Sequence, residues 1–365
     1  VTPNETRNGT HRETYLDWNA TAPLRPEAGA AMHEAMARCG NPSSVHRRGR
    51  AARQAVEAAR DRIAALAPGD VTFTSGGTEA NHLALLGTGR RRVLISAIEH
   101  NSVLQAVPTA ERIPVDRNGI LDLTALDALL SSGPPALVSV MLANNETGVI
   151  QPLDEIVAIA HAHGALVHTD AVQAAGKIPL DTGADILTLS AHKIGGPPGV
   201  GAVVSRVELA PMIRGGGQER GRRAGTENLV GIAGFGAAAD AASIAEYERV
   251  RELRDRLEAA LADAVIVGAE APRLPNTSAV AMPGMAAETQ VIAFDLAGVM
   301  VSAGAACSSG KVGPSHVLAA MGIAPEIANA TIRVSLGWTT NEVDIDHFIE
   351  TWTALRARRD RRRAA

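Results

Sequence analysis

Short, nearly continuous apolar runs alternate along this chain with longer stretches in which apolar residues recur at three- and four-residue spacing. The runs at 71–74, 93–97, 136–142, 165–168, 186–189 and 200–204 have the length and continuity of strands buried on both faces. Between them, 26–39, 79–86, 123–130 and 153–163 read as helices. A helix ending near Leu66 starts after Gly40-Asn41-Pro42, with Ser43 or Ser44 as its expected cap. Strand and helix in alternation predict an α/β fold, an open and mostly parallel sheet with helices on both faces. Beyond 215–221, a Gly-rich loop, a continuous Ala/Arg/Glu helical region is expected over 228–262. It leads to a smaller C-terminal α+β unit with strands at 265–267, 277–281 and 332–336. Residues 1–14 read as a loose polar leader, and 15–20 as a short strand or extended segment.

Against this pattern, the unusual polar residues fall at the carboxyl ends of the predicted strands, where open α/β sheets bind their ligands. They are Thr78, Glu99-His100, Asn144-Asn145-Glu146, Asp170 and Lys193. Lys193, in Ser190-Ala191-His192-Lys193, ends a buried strand, and a desolvated lysine there becomes a nucleophile towards carbonyl carbon. Read alone, it is more often a surface lysine opening a Gly/Pro loop. Asp170 ends the preceding strand, placed to pair with the ring nitrogen of pyridoxal phosphate. Ser75-Gly76-Gly77-Thr78 joins strand to helix, where backbone N–H groups and a hydroxyl suit one phosphate. It matches neither a Walker A loop nor G-x-G-x-x-G, and taken by itself is equally a capped helix. His100 is a candidate for ring stacking and proton transfer near neutral pH, although a lone histidine is more often a satisfied loop residue.

Composition narrows the function classes. The 365 residues carry a net charge of −4, which gives no whole-chain argument for nucleic-acid or membrane binding. No apolar run approaches the ~20 residues of a membrane span, and no secretory signal opens the sequence, so the cytoplasm is the expected location. The six arginines between 356 and 363 read as a solvated extension of the last helix, with docking to an acidic partner as the sharper alternative. Two distant cysteines make no disulfide framework. Cys39 is expected to pack at a helix end as a small hydrophobe. Cys307 lies among Gly304-Ala305-Ala306 and Ser308-Ser309-Gly310, a poor core environment and a plausible nucleophile loop.

Taken together, the segments YLDWNATAPLRP, GNPSSVHRRGR, FTSGGTEANHLAL, IEHNSV, ANNETGVIQP, HTDAVQAAGK, SAHKIGGPPGVGA, GGGQERGRRAGTEN, SAGAACSSGK and IRVSLGWTT resemble, in that order, the NifS/IscS-type cysteine desulfurases. These are class V members of the fold-type I pyridoxal-phosphate enzymes. The resemblance implies a large sheet domain at 21–247 and a small domain built from 1–20 and 248–365. It implies pyridoxal 5'-phosphate bonded to Lys193, with Asp170 on the pyridine nitrogen, His100 stacked on the ring and Gln173 at the ring hydroxyl. Gly77, Thr78, Ser190 and His192 would hold the phosphate, joined by Thr226 from the partner of a homodimer. Asn145 and Arg333 would bind the carboxylate of L-cysteine, and Cys307 would take its sulfur as a persulfide and pass it to an acceptor protein. The loop reads Ser-Ala-Gly-Ala-Ala-Cys where many relatives have Ser-Ser-Gly-Ser-Ala-Cys. A selenocysteine lyase and an aminotransferase would use the same cofactor residues; a role only as a docking partner in sulfur transfer would not need them.

Overall fold

The computed structural model describes residues 13–304 and 315–364. Cys307 and most of the polar leader lie outside the described residues.

Seven strands form the large sheet, in the order Asp70–Thr74, Gly201–Ser205, Ile186–Ser190, Leu166–Asp170, Leu137–Ser139, Val93–Ser96, Glu111–Ile113. The last five are mutually parallel, and Gly201–Ser205 alone runs against its two neighbours. The fold is therefore α/β with a mostly parallel sheet, as the alternation predicts. The reversed strand follows from the chain returning directly through a Gly/Pro loop, too short for the helical crossover a parallel neighbour needs. Edge strand Glu111–Ile113 is the one that apolar continuity does not reveal, because only Ile113 is buried.

Period-two alternation distributes the strands' side chains over two cores. Leu94, Val138, Leu187 and Val204 face one cluster with Val56, Ile63 and Phe235. Their sequence neighbours Ile95, Leu137, Ile186 and Val203 face the other, with Leu83 and Leu85 of the helix Gly77–Gly87. A sheet covered on both faces explains why its strands read as continuous apolar runs.

A second, antiparallel sheet holds Ser302–Ala303, Thr331–Ser335, Thr277–Ala281 and Val265–Val267. Its core contains Val280, Ile332, Val334, Phe348 and Trp352, with Phe294 stacked on Phe348 at 4.8 Å. Thr14–Tyr15 pairs in parallel with Val299–Met300, so the chain's first described strand belongs beside this C-terminal unit. The last helix, Glu342–Ala364, carries the Arg-rich end, and Arg359 is buried with its guanidinium on the carbonyl of Pro283.

Three local expectations are corrected. The region 228–262 is not continuous: Leu229–Ala241 and Glu246–Ala260 meet at 76°. The first is apolar around its circumference and packs on the large sheet, whereas the second is charged on one side and covers the small one, so a bend satisfies both. Helix Arg47–Leu66 is capped by His46, whose Nδ1 accepts from the Gly49 amide, and not by Ser43 or Ser44. Cys39 is exposed, because Pro26–Ala37 ends two residues earlier and the extended backbone at Arg38 carries the chain outward.

One buried ion pair ties the Gly-rich loop to the sheet edge. Arg60 donates to both carboxylate oxygens of Glu219, at 2.8 and 3.0 Å, and Glu219 also accepts the amide of Phe73 at 2.8 Å. Glu219 itself sits at φ 48, left-handed backbone that a non-glycine residue adopts only when its surroundings hold it there. Replacing Glu219 by Ala orphans the Phe73 amide and leaves the buried Arg60 guanidinium only the half-exposed Glu57 as an ionic partner. The expected cost is about 3 kcal/mol of unfolding free energy, read from denaturant titration. A loss within error of zero would show that the pair does not hold this edge.

Candidate active site

A cavity of about 310 Å³ opens at the carboxyl ends of the parallel strands. Its wall brings together Gly77, Thr78, His100, Asn145, Asp170, Gln173, Ser190, His192 and Lys193, residues that the sequence scatters over more than a hundred positions. Asp170 ends Leu166–Asp170; Ser190 ends Ile186–Ser190 and passes into the single 3-10 turn Ala191–Lys193. After that turn, Gly195 at φ 85 reverses the chain where a Cβ would lie 2.7 Å from the Trp338 ring. Gly77 and Thr78 open the helix Gly77–Gly87, whose first amides have no partner within the helix. The preceding loop lies flat on the sheet because Gly201 has no side chain: a Cβ there would approach Gly76 to 2.6 Å.

Lys193 is held by the segment that follows the first strand. Its ammonium donates to the carbonyls of Asn19 and Ala20, the latter at 2.7 Å. The same segment runs along the lysine turn, with the Ala22 amide on the His192 carbonyl and the Arg25 amide on Gly195. Arg25 stacks on Trp338 at 3.8 Å and pairs with Glu246. Asp170 accepts from Asn81 Nδ2 at 2.8 Å and from the Val172 amide at 3.0 Å. Burial, then the Lys193 charge, pushes His192 down to about 4, so its imidazole is neutral in the working pH range. Burial likewise lowers His100, an effect that Asp170 opposes while Lys193 and His316 reinforce it.

Three expected residues are not on this wall. Arg333 is buried behind it in strand Thr331–Ser335, where it donates to the Asn145 carbonyl at 3.1 Å and to Asp17 at 2.8 Å. Its Nε is buried without a protein partner. Thr226 is exposed and lines a separate cavity with Ser75, Gly199 and Arg223. Cys307 lies outside the described residues, yet both flanks of its loop converge on Glu146. Ser315 Oγ donates to Glu146 Oε2 at 2.6 Å, and a Cβ at Gly304 would come within 3.1 Å of the same oxygen. Burial raises the Glu146 carboxyl, against the Ser315 hydrogen bond and the charges of His316 and Arg333.

Sequence reasoning assigned no role to Asn19, Asn81, Ser102 or Glu146. The available signal was polarity out of place: Asn81 lies on the buried side of its helix among Ala80, Leu83, Ala84 and Leu85, and Asn19 is 1% exposed beside Ala20 and Ala22-Pro23. Among the described residues no cluster of His, Cys, Asp or Glu is placed to hold a metal, and no single helix is long and apolar enough to cross a membrane.

The donor set has the chemistry of a site for a phosphorylated, nitrogen-containing ring: an amine, a carboxylate, and hydroxyls beside helix amides. Gln173 Oε1 and Asn81 Oδ1, both buried, have hydrogen-bonding capacity that the protein itself leaves unfilled. A family model for class-V aminotransferases matches residues 14–348. The chain belongs to the class-V aminotransferase family. Within it, the chain is 47% identical to a cysteine desulfurase of Cereibacter sphaeroides, covering 92% of this chain and 94% of the relative. It is 40% identical to the cysteine desulfurase IscS of Dictyoglomus turgidum, over 93% of each. The solved NifS-like protein of Rickettsia africae superposes with a TM-score of 0.87 at 38% identity, covering 94% of this chain and 99% of that one. The class-V fold is thus shared along nearly the whole length.

The scaffold beneath Asp170 also carries a titrating group. His168, fully buried, bridges three strands through Ser139 Oγ at 2.8 Å and Thr188 Oγ1 at 3.0 Å. Burial pushes it down to about 4, with Asp170 opposing. In the unfolded chain the imidazole takes a proton near pH 6.5, so the folded state loses stability as pH falls from there towards 4. The expected loss is roughly 1.4 kcal/mol per pH unit across that window. Denaturant titrations at pH 7 and pH 5 should therefore show a smaller acid loss in His168→Gln than in the parent. Equal losses would remove His168 as the cause.

Proposed function

We propose that this class-V enzyme is a cysteine desulfurase: L-cysteine and the Cys307 thiol give L-alanine and a Cys307 persulfide. The C–S bond of L-cysteine and the S–H bond of Cys307 break, while the S–S bond of the persulfide and a C–H bond at the substrate β-carbon form, so the reaction balances without an oxidant. The observation that carries the reading is the convergence of Lys193, Asp170 and His100 on one cavity, in a chain 47% identical to a cysteine desulfurase.

Pyridoxal 5'-phosphate, when bound, supplies the electron sink that makes the substrate α-proton removable. Lys193 would hold the cofactor covalently, and its amine, when free, would take that proton. Asp170 would keep a proton on the ring nitrogen, and the Asn81 and Val172 donors fix the direction of its carboxylate. His100 would stack on the ring, and Gln173 would meet its hydroxyl. Gly77, Thr78, Ser190 and His192 would receive the phosphate at the helix N-terminus, a neutral His192 as a hydrogen-bond donor. The exposed Thr226 adds a contact to the partner's phosphate in a homodimer.

Asn145 and Arg333 bind the substrate carboxylate. Arg333 is already oriented by Asp17 and the Asn145 carbonyl, and its buried Nε has no protein partner, so one donor of the planar group is uncommitted and needs little further ordering. A cytoplasmic location and a protein acceptor for the persulfide complete the reading. Selenocysteine is the competing substrate, since the same residues would serve it.

Cys307→Ala should leave cofactor binding intact while alanine release collapses, because no thiol accepts the sulfur. Cys39→Ala should change neither, although Cys39 is exposed. Alanine assay and intact-mass measurement of the persulfide separate the two; undiminished alanine from the Cys307 variant would overturn the proposal.

Arg333→Ala should raise KM for L-cysteine by at least thirtyfold, corresponding to the loss of roughly 2–5 kcal/mol from a desolvated charge pair. Cofactor binding should persist. An unchanged KM would mean that another cation binds the carboxylate.

A further inference from the structure

We infer that Asn81 and Ser102 are positioning residues that lock His100 in one neutral tautomer, with Nδ1 bare and the hydrogen on Nε2. The inference deepens the proposed function, and rests on it for its catalytic meaning.

The argument is an account of hydrogens. The Ser102 backbone N–H can only donate, and it points at His100 Nδ1 from 3.1 Å. Nδ1 is therefore the nitrogen without a hydrogen. Ser102 Oγ lies 2.7 Å from the same atom, so its hydroxyl hydrogen is committed to Nδ1 as well. Having donated, that oxygen can accept, and Asn81 Nδ2 supplies a hydrogen from 2.8 Å. The other amide hydrogen goes to Asp170 Oδ2, also at 2.8 Å. Rotating the Asn81 amide by half a turn would put its oxygen against the Asp170 carboxylate, so Asp170 fixes the direction of the whole chain. The protein accepts a cost for this orientation: Asn81 Oδ1 is left buried without a partner.

Both linking residues are shielded, Asn81 being 1% and Ser102 7% exposed, so solvent does not readily replace either bond. The other groups facing the ring are Asp170, which favours the imidazolium, and Lys193 and His316, which oppose it. The adjacent Glu99 is raised by its own burial, away from the charged form. Protonating Nδ1 would break the backbone contact and force the Ser102 hydroxyl to turn from donor to acceptor. His100 therefore enters the reaction as an Nε2–H donor, and serves as a proton acceptor only if the Ser102 contacts are lost.

Long-range ¹H–¹⁵N spectra of the ¹⁵N-labelled protein without cofactor read the tautomer directly, with the His100 signals assigned by their loss in His100→Gln. The expected parent spectrum shows a bare Nδ1 and a protonated Nε2. Ser102→Ala and Asn81→Leu should each raise the His100 midpoint by roughly 0.5–1 pH unit, a three- to tenfold larger imidazolium fraction at fixed pH. Ser102→Thr, which keeps the hydroxyl, should restore the parent titration. Should Asn81→Leu fail to fold, Ser102→Ala decides, since it removes one oxygen at the edge of a single-turn helix. A hydrogen on Nδ1 in the parent, or a parent-like midpoint in Ser102→Ala, would overturn the inference. Because the spectra need neither cofactor nor turnover, loss of the desulfurase reading alone would leave this result standing, and a failed tautomer would leave the desulfurase reading standing.

Discussion

Every polar atom of Asn19 is engaged, and the geometry of the site depends on that. Its carbonyl receives the Lys193 ammonium and Gln173 Nε2. Its side-chain amide donates to Asn145 O and Thr277 Oγ1, its Oδ1 accepts from Asn276, and its own amide reaches Ser335 Oγ. Lys193, Gln173 and Asn145 belong to the lysine turn and the cavity wall, whereas Thr277, Asn276 and Ser335 belong to the antiparallel sheet that carries Arg333 or to its edge. One buried asparagine thus fixes the distance between the amine that acts on a substrate and the guanidinium that receives its carboxylate. A short apolar side chain at this position would leave the carbonyl contacts in place but free the two sheets to shift against each other, with several buried donors and acceptors orphaned.

How much of this was legible in the sequence follows from which forces write themselves into local pattern. Strand burial on both faces produces continuous apolar runs, so six of the seven large-sheet strands could be read. The seventh, Glu111–Ile113, is an edge, where half-exposure removes that signal. Lys193, Asp170 and His100 were legible because polar residues at strand ends are out of keeping with the pattern. Asn81 and Ser102 were not, because their importance lies in partners that only folding brings near: Ser102 is 21 residues from Asn81, and Asp170 is 89 away. Helix caps and breaks failed for a related reason. The bend after Ala241 has neither Gly nor Pro to mark it, and arises because two helical faces must cover two different sheets.

Burial also decides which groups contribute charge near the cavity. Glu99 and Glu146 are carboxyls deep enough that desolvation raises both, towards the neutral form. Lys177, 3% exposed with its amine on the Gln173 carbonyl, is lowered by burial and by the Lys193 charge to about 7. His192 and His168 are lowered to about 4 and are neutral. Titratable groups thus crowd the site, yet desolvation quiets most of them.

The consequence is electrostatic economy. Unit charges a few ångströms apart interact strongly where protein replaces water, and each additional ionised neighbour would alter the field that a reacting carbon experiences. With Glu99 and Glu146 shifted towards the neutral form and the imidazoles of His192 and His168 neutral, the hydrogen-bonded chain from Asp170 through Asn81 and Ser102 to His100 transmits orientation. Arg333 is the exception that proves useful: its pairing with Asp17 compensates a guanidinium at 2% exposure, where an unpaired cation would be costly. A carboxylate arriving at that fork meets a charge whose orientation was settled during folding. Binding then spends little of its free energy on ordering the receptor, which leaves more of it to position the bond that must break.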